Sequence, residues 1–420
     1  MDNPLLMDLF PAGDVIPPPS KSFGHRALIC AALSAAGDAN GKSVILNTGL
    51  SEDIEATLNA FPLFGAAAER QADVMYVGPA GTSATPSVID CGESGSTLRF
   101  LLPLAAMITK ETVRFTGRGR LLDRPLTAYA DIFQTSGVQF RQSSSEVSVK
   151  GPLAAGHYFL PGNVSSQFVS GLLLALPLAD GDSTLQMTSP LESAPYVEMT
   201  LEVMRAFGVK VERPSAGIFS IPGKQRYLPA SYRLEADYSQ AAFFLAAASL
   251  GRPVRCCGLN PESVQGDMAI VSILGQMGAD INWADDAVAV KIKGRLKAVT
   301  VDVREIPDLV PVLASLCALA SGTSRIINAE RLRLKESDRL KSMATELRKL
   351  GADVTEENDS LIITGSASLE GAVTVDSHND HRVAMALAVV SIGCRGPVKI
   401  SDPDCVNKSY PAFWDDFRRV

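Results

Sequence analysis

A chain of 420 residues exceeds the size at which a single hydrophobic core keeps growing, so two domains are expected. Hydrophobic residues at 46% and charged residues at 20% exclude a disordered or collagen-like chain. With 39 basic against 46 acidic residues the net charge is −7, so no overall basic field exists to draw in nucleic acid or an anionic membrane, and any anion site must be built locally. Residues 1–4 lack the basic region and apolar core of a secretory signal. The longest apolar runs, such as Leu309–Ala320, are too short to span a bilayer. Seven cysteines (30, 91, 256, 257, 317, 394 and 405) form an odd set without a CxxC pair, which argues for a reducing compartment and against a disulfide frame or zinc ribbon. A cytoplasmic location is expected.

In chain order, six Ala/Leu-rich helices each open on small polar or charged residues. The openings are Ser20-Lys21-Ser22, Glu93-Ser94-Gly95-Ser96, Ser165-Ser166-Gln167, Asp237-Tyr238-Ser239, Pro307-Asp308 and Asn379-Asp380-His381-Arg382. Taken at positions 22, 94, 165, 238, 308 and 380, they recur at gaps of 72, 71, 73, 70 and 72 residues. Five amphipathic stretches run in step and end in Gly65, Gly137, Gly208, Gly278 and Gly351, spaced by 72, 71, 70 and 73 residues. Each glycine stands where a left-handed helix terminus is wanted. The residues after it, such as Val209-Lys210-Val211 and Phe219–Ile221, alternate like hairpin strands. Six units of about 70 residues therefore fill the chain, each reading strand, apolar helix, strand, amphipathic helix and two strands.

The apolar helices carry no polar stripe and are expected to be buried on nearly every side. The expected class is α/β, with two similar domains of three units each. Pro17-Pro18-Pro19 and Leu234–Ala236 offer the crossovers, which puts residues 14–236 in the first domain and residues 1–13 with 237–420 in the second. The competing arrangement is an open solenoid, but solenoid repeats are shorter, roughly 20 to 50 residues.

Unusual residues gather at the helix starts, where unpaired N–H groups and a partial positive charge favour anions. A single Ser or Asp there is ordinarily a cap. Lys21, Arg26, Arg99, Arg124, Arg339, His381-Arg382 and Lys408 fall on or beside these starts, and cations at a helix N-terminus oppose its dipole. That misfit points to bound anions. Asp308 and Glu336 stand among these cations, where a carboxylate can move protons rather than merely cap a helix or meet solvent.

Seven ordered motifs together resemble the 3-phosphoshikimate 1-carboxyvinyltransferase (5-enolpyruvylshikimate-3-phosphate synthase) family of enolpyruvyl transferases. They are Ser20-Lys21-Ser22 with Arg26, the run from Gly92 to Arg99, Asp123-Arg124-Pro125-Leu126, Ser165-Ser166-Gln167, the run from Leu334 to Arg339, Asn379-Asp380-His381-Arg382, and Asp402-Pro403 with Lys408. The resemblance implies two inside-out α/β domains of six similar units, with the active site in the interdomain cleft. It implies that shikimate 3-phosphate is held by Lys21, Ser22, Arg26, Ser165, Ser166, Gln167, Ser193, Tyr196, Asp308 and Lys335. Phosphoenolpyruvate would be clamped by Lys21, Gly95, Arg124, Gln167, Arg339, Arg382 and Lys408, whose planar guanidiniums suit carboxylate and phosphate. Asp308 would deprotonate the substrate's 5-hydroxyl, Glu336 would shuttle the proton at C3, and Lys21 with Lys408 would stabilise departing phosphate. Glyphosate would occupy the phosphoenolpyruvate site. No metal or organic cofactor, no nucleic acid and no membrane is implied, and a monomer is expected.

Three departures stand out: Glu93 where the family often has Asn, Arg331 where many members have Asn, and Phe100 in place of a common Pro. The nearest rival, UDP-N-acetylglucosamine 1-carboxyvinyltransferase, typically carries Lys-Asn at Lys21-Ser22 and a Cys in the loop that here reads Gly117-Arg118-Gly119-Arg120. A non-catalytic repeat scaffold would instead spread its binding residues along one exposed face.

Overall fold

A computed structural model describes residues 5–6 (backbone only), 13–37, 41–80, 86–252 and 254–420. The helices are α1 (Lys21–Gly37), α2 (Glu52–Leu58), α3 (Gly95–Ile108), α4 (Thr127–Thr135), α5 (Ser166–Ala175), α6 (Ala194–Ala206), α7 (Tyr238–Ser249), α8 (Ala269–Gln276), α9 (Val310–Leu319), α10 (Arg339–Lys349), α11 (His381–Ser391) and α12 (Phe413–Arg419). Odd-numbered helices are the apolar series. Every residue of α7 and α9 is buried, as an all-round apolar surface requires. Even-numbered helices α2 to α10 are the amphipathic series, each burying one face.

The five terminal glycines all adopt left-handed backbone, with φ of 63° at Gly65, 76° at Gly137, 80° at Gly208, 94° at Gly278 and 87° at Gly351. Such a φ crowds a Cβ, so the repeated glycine is a steric necessity of the repeated helix end.

Among the described residues six small sheets accompany the six apolar helices, five of four strands and one of three. Val88–Asp90, Thr112–Thr116, Val147–Lys150 and Gln139–Gln142 give the pattern: the strands flanking α3 pair in parallel, and a hairpin adds antiparallel to the second. Parallel neighbours of this kind need a crossover connection between the strands, which α3 supplies.

The chain divides into two compact units, Pro19–Leu234 and the remaining described residues. Each has its own hydrophobic core, built from its three apolar helices and the inner faces of its sheets. The strand before α1, Gly13–Val15, pairs in parallel with Val254–Cys256, so residues 14–18 belong with the C-terminal unit rather than with the first domain of residues 14–236. Ser231–Arg233, the strand before α7, pairs in parallel with Ser43–Leu46 and completes the first sheet of the N-terminal unit. Among the described residues the sixth sheet shows no closing hairpin; Leu5–Leu6 runs antiparallel to Val398–Ser401, and α12 follows that strand. The other residues assigned to 1–13, namely 1–4 and 7–12, lie outside the described ones.

Candidate active site

In the N-terminal unit the starts of α1, α3 and α5 hold most of the expected residues. Lys21 and Ser22 are the first two residues of α1. One turn later Arg26 is only 2% exposed and spends its donors on the protein: Nε on Thr200 Oγ1 at 2.7 Å, Nη1 on the Ser22 carbonyl at 2.7 Å, and Nη2 on the Tyr196 carbonyl at 2.9 Å and Ser170 Oγ at 3.3 Å. Burial pulls its pKa down to about 10, which still leaves it charged at neutral pH. Ser193 occupies the cap position of α6 at φ 55°, a left-handed strain for a non-glycine residue and two residues before the Pro195-Tyr196 turn.

Ser165 caps α5, accepting from Gln167 N at 3.3 Å, so the capping role is real here. The Gln167 amide bridges two neighbours: its Oε1 accepts from Arg99 Nη1 at 2.7 Å and its Nε2 donates to Ser96 Oγ at 2.9 Å. Gly95 opens α3 beside them. A Cβ at Gly95 would stand 2.8 Å from Arg124 Nη1, 3.0 Å from Arg99 Nη1 and 3.5 Å from Gln167 Oε1. Gly95, Arg124 and Gln167 are thus gathered in one place, joined by Arg99.

In the C-terminal unit, the turn Pro307–Leu309 ahead of α9 presents Asp308 to three cations. Its Oδ1 meets Arg339 Nη1 at 2.8 Å and Lys335 Nζ at 3.5 Å, and its Oδ2 meets Arg382 Nη2 at 3.0 Å. Burial alone would raise this carboxyl, but Arg382, Lys335 and Arg339 outweigh burial and hold it well below the usual carboxylate range. Lys335 is pulled down by burial, with Asp308 opposing.

Arg339 is 1% exposed and joins three carboxylates, with Asp380 at 2.8 Å and Glu336 at 2.8 Å besides Asp308. Burial works against its charge, yet Asp380, Glu336 and Asp308 together push its pKa up. The cation at the start of α10 is therefore balanced within the chain. Asp380 caps α11 and also accepts from Ser337 Oγ at 3.1 Å. Lys408 Nζ donates to the Asn379 carbonyl at 2.7 Å and to its Oδ1 at 2.8 Å, and Asn379 holds a left-handed φ of 52°.

The three departures have structural settings. Phe100 is fully buried, and the Arg26 guanidinium lies 5.0 Å from its ring centroid, so an aromatic face supports the buried cation. The Glu93 carboxylate lies over Gly119, 2.6 Å from where a Cβ would be, and so faces the loop of residues 117–120. Arg331 turns its Nη2 to the Arg304 carbonyl. Sequence reasoning missed Asp53, which pairs with Lys21, and Asp267, a buried carboxyl in the turn Gly266–Met268 whose Oδ2 accepts from the Ser239 hydroxyl. Among the described residues no group of three or more His, Cys, Asp or Glu side chains is arranged to hold a metal ion, none of the seven cysteines is in a disulfide, and no helix is long and apolar enough to cross a membrane.

Asp267 carries a stability prediction. It is 2% exposed, and burial, reinforced by the charge of Asp308, pushes its carboxyl up from 3.8 to about 7. A carboxyl raised in the folded state stabilises that state below its unfolded pKa, and the contribution is lost as pH rises toward about 7. Asp267→Asn removes the titration. Its melting temperature relative to the parent is expected to climb by on the order of 5 °C between pH 5 and pH 8. A difference independent of pH, read by thermal unfolding at both values, refutes this.

The structure resembles the enolpyruvyl transferase NikO from Streptomyces tendae at TM-score 0.80 and 19% identity, over 99% of this chain and 97% of that one, which is a likeness of fold alone. EPSP synthase from Acinetobacter baumannii matches at TM-score 0.79 and 27% identity, over 99% of this chain and 97% of that one. The class is thus a two-domain α/β enolpyruvyl transferase fold. A sequence profile described as EPSP synthase (3-phosphoshikimate 1-carboxyvinyltransferase) matches residues 11–417, and the chain belongs to that family. The 3-phosphoshikimate 1-carboxyvinyltransferases of Clostridium novyi and Clostridium kluyveri are each 46% identical, over 97% of this chain and 95% of theirs.

Proposed function

We propose that the chain transfers the enolpyruvyl group of phosphoenolpyruvate to the 5-hydroxyl of shikimate 3-phosphate and releases phosphate, a step toward chorismate and the aromatic amino acids. Family membership supports the reaction, and one arrangement in the C-terminal unit supports the chemistry. Asp308 and Glu336 both bind Arg339, each at 2.8 Å, so two carboxylates sit on one guanidinium with Lys335 and Arg382 alongside. The reaction needs one proton taken from a hydroxyl and another given to, then taken from, C3. Two held carboxylates meet that need.

In the N-terminal unit we assign Lys21, Ser22, Ser165, Ser166, Gln167, Ser193 and Tyr196 to shikimate 3-phosphate. Arg26 acts chiefly by bracing Ser22 and Tyr196, since one guanidinium N–H remains beyond its four bonds. Gly95, Arg124 and Gln167 take part in holding phosphoenolpyruvate, where backbone without a Cβ leaves room for the anion. In the C-terminal unit we assign Asp308 and Lys335 to the shikimate substrate, and Arg339, Arg382 and Lys408 to phosphoenolpyruvate.

The hydroxyl oxygen attacks C2 as Asp308 takes its proton and Glu336 protonates C3. Glu336 then recovers a C3 proton while phosphate departs with the C–O electron pair, its charge met by Lys21 and Lys408. Asp308, held ionised by three cations, is ready to accept a proton but is a weak base, so it acts by orienting the hydroxyl as much as by its basicity. The protein is proposed to work as a cytoplasmic monomer, which light scattering on the purified chain checks.

The test is phosphate release from phosphoenolpyruvate, measured with and without shikimate 3-phosphate. Release that requires shikimate 3-phosphate is expected. Release that requires UDP-N-acetylglucosamine instead, or none with either, overturns the reading.

A further inference from the structure

The starts of α1, α2 and α3 are tied together by polar contacts to which the assigned roles give no task. Lys21 Nζ stands 2.7 Å from Asp53 Oδ2, with the two side chains 16% and 12% exposed. Asp53 lies in the first turn of α2, which Ser51 caps. One turn further into α2, Thr57 Oγ1 lies 2.8 Å from His25 Nδ1 on α1 and 2.7 Å from Thr97 Oγ1 on α3. Thr97 in turn donates to Ser94 Oγ at 2.8 Å. All four of these residues are fully buried. Burial, helped by the charges of Lys21 and Arg26, drives the His25 imidazole well below its ordinary pKa, so this inner chain carries no charge near neutral pH. Moving α2 against α1 or α3 breaks buried hydrogen bonds, so the carboxylate on its first turn is held in a fixed place.

The charges at these helix starts are unequal in comfort. The positive end of α2 favours Asp53, whereas the positive end of α1 disfavours Lys21. A lysine also swings on a flexible four-carbon stem and loses rotamer freedom when held. A rigid carboxylate at 2.7 Å selects one position for the ammonium and compensates its partly buried charge.

We propose that Asp53 is a positioning residue for Lys21, fixing the ammonium where it meets the phosphate as it leaves. This rests on the reading of Lys21 as the group that stabilises that phosphate. Asp53 exchanges no proton in the step. The carbon–oxygen bond breaks toward phosphate, Lys21 stays protonated, and the carboxylate keeps it in place. Asp53 also adds negative charge, which weakens the positive field that attracts phosphoenolpyruvate. Its removal should therefore slow turnover without weakening the binding of that anion, a pattern that general damage to the fold does not produce.

Asp53→Asn keeps the shape of the α2 turn and removes the charge. With the full chain, kcat is expected to fall roughly 10- to 100-fold, the scale of a misplaced catalytic group. The KM for phosphoenolpyruvate should stay level or fall, and the Kd for shikimate 3-phosphate should stay within about threefold. Asp53→Glu restores the charge and should recover part of the loss. Adding Asp53→Asn to Lys21→Met should cost nothing beyond Lys21→Met alone, since a positioning residue has no effect without its target. A kcat within about twofold of the parent in Asp53→Asn overturns the proposal. So does a joint rise of both binding constants with a lowered melting temperature and no rescue by Glu. Lys21→Met with parental turnover removes the role of Lys21 and the proposal with it. A parent enzyme that releases no phosphate removes the proposed function instead, a separate failure seen before any variant is made.

Discussion

Glu336→Gln is expected to lower turnover by roughly 10²- to 10⁴-fold, the usual worth of a positioned acid–base group, while shikimate 3-phosphate binds within about threefold of the parent. The side chain is 18% exposed and its Oε2 lies 2.8 Å from Arg339 Nη2, a bond that a glutamine oxygen can still accept. Geometry is thus kept and the capacity to hold a proton is lost. Arg339 retains Asp308 and Asp380, so the buried cation does not become uncompensated. A second effect adds to the first. The Glu336 charge is one that raises the Asp308 carboxyl against the three cations, so its loss leaves Asp308 a still weaker base. Steady-state phosphate release measures the fall, and exchange of solvent deuterium into C3 of phosphoenolpyruvate isolates the proton step. Turnover within about tenfold of the parent, with exchange retained, means that another group shuttles the proton.

The six-fold period is legible because two local physical demands repeat with it. A left-handed helix end wants glycine, and Gly65, Gly137, Gly208, Gly278 and Gly351 all have positive φ. A helix buried on all sides admits no polar stripe, and α7 and α9 have none. The destinations of the two crossover strands are not legible. Gly13–Val15 lies beside Val254–Cys256, and Ser231–Arg233 beside Ser43–Leu46, pairings across more than half of the chain or nearly so. Nothing in a three-residue strand specifies so distant a partner, because register is set by the whole buried face. For that reason the sequence places the crossover at residue 14, whereas the compact unit that holds Gly13–Val15 runs on to Pro18 and resumes at Glu235.

The cations at the helix starts are also legible, since Arg339 and Arg382 oppose the dipoles of α10 and α11. The carboxylates that balance them in the chain are not. Asp53 in the first turn of α2 and Asp380 at the cap of α11 look like ordinary dipole-complementing acids. Only their placement against Lys21 and Arg339 separates them from dozens of similar residues. Asp267 carries still less local signal, because its neighbours Asp308 and Arg382 are remote in sequence. A cation that opposes its helix dipole therefore has two possible partners that the sequence alone does not separate, a bound anion and a carboxylate from another helix.

Gly95→Ala is expected to raise the ratio of the glyphosate inhibition constant to the phosphoenolpyruvate KM by roughly 5- to 150-fold. The added methyl would lie 2.8 Å from Arg124 Nη1 and 3.0 Å from Arg99 Nη1, closer than such atoms rest. Both contacts are the tips of flexible side chains, so they yield by a few tenths of an ångström and α3 survives. The space they yield into is the space proposed for the ligand. Gly95 opens α3 with no left-handed φ, so alanine brings no backbone strain, and its helix propensity is better than that of glycine. Stability should accordingly change little. Crowding of a tight site costs about 1–3 kcal/mol, and each 1.4 kcal/mol is about tenfold in affinity. The inhibitor, longer than the substrate, takes the larger share, while a displaced Arg124 raises the substrate KM by less. Glu93, turned toward Gly119, lies off the path of the methyl and should not mask the change. Competitive inhibition measured on parent and variant decides the matter: an unchanged ratio, with or without a lowered melting temperature, means that Gly95 serves the start of α3 and not the ligand.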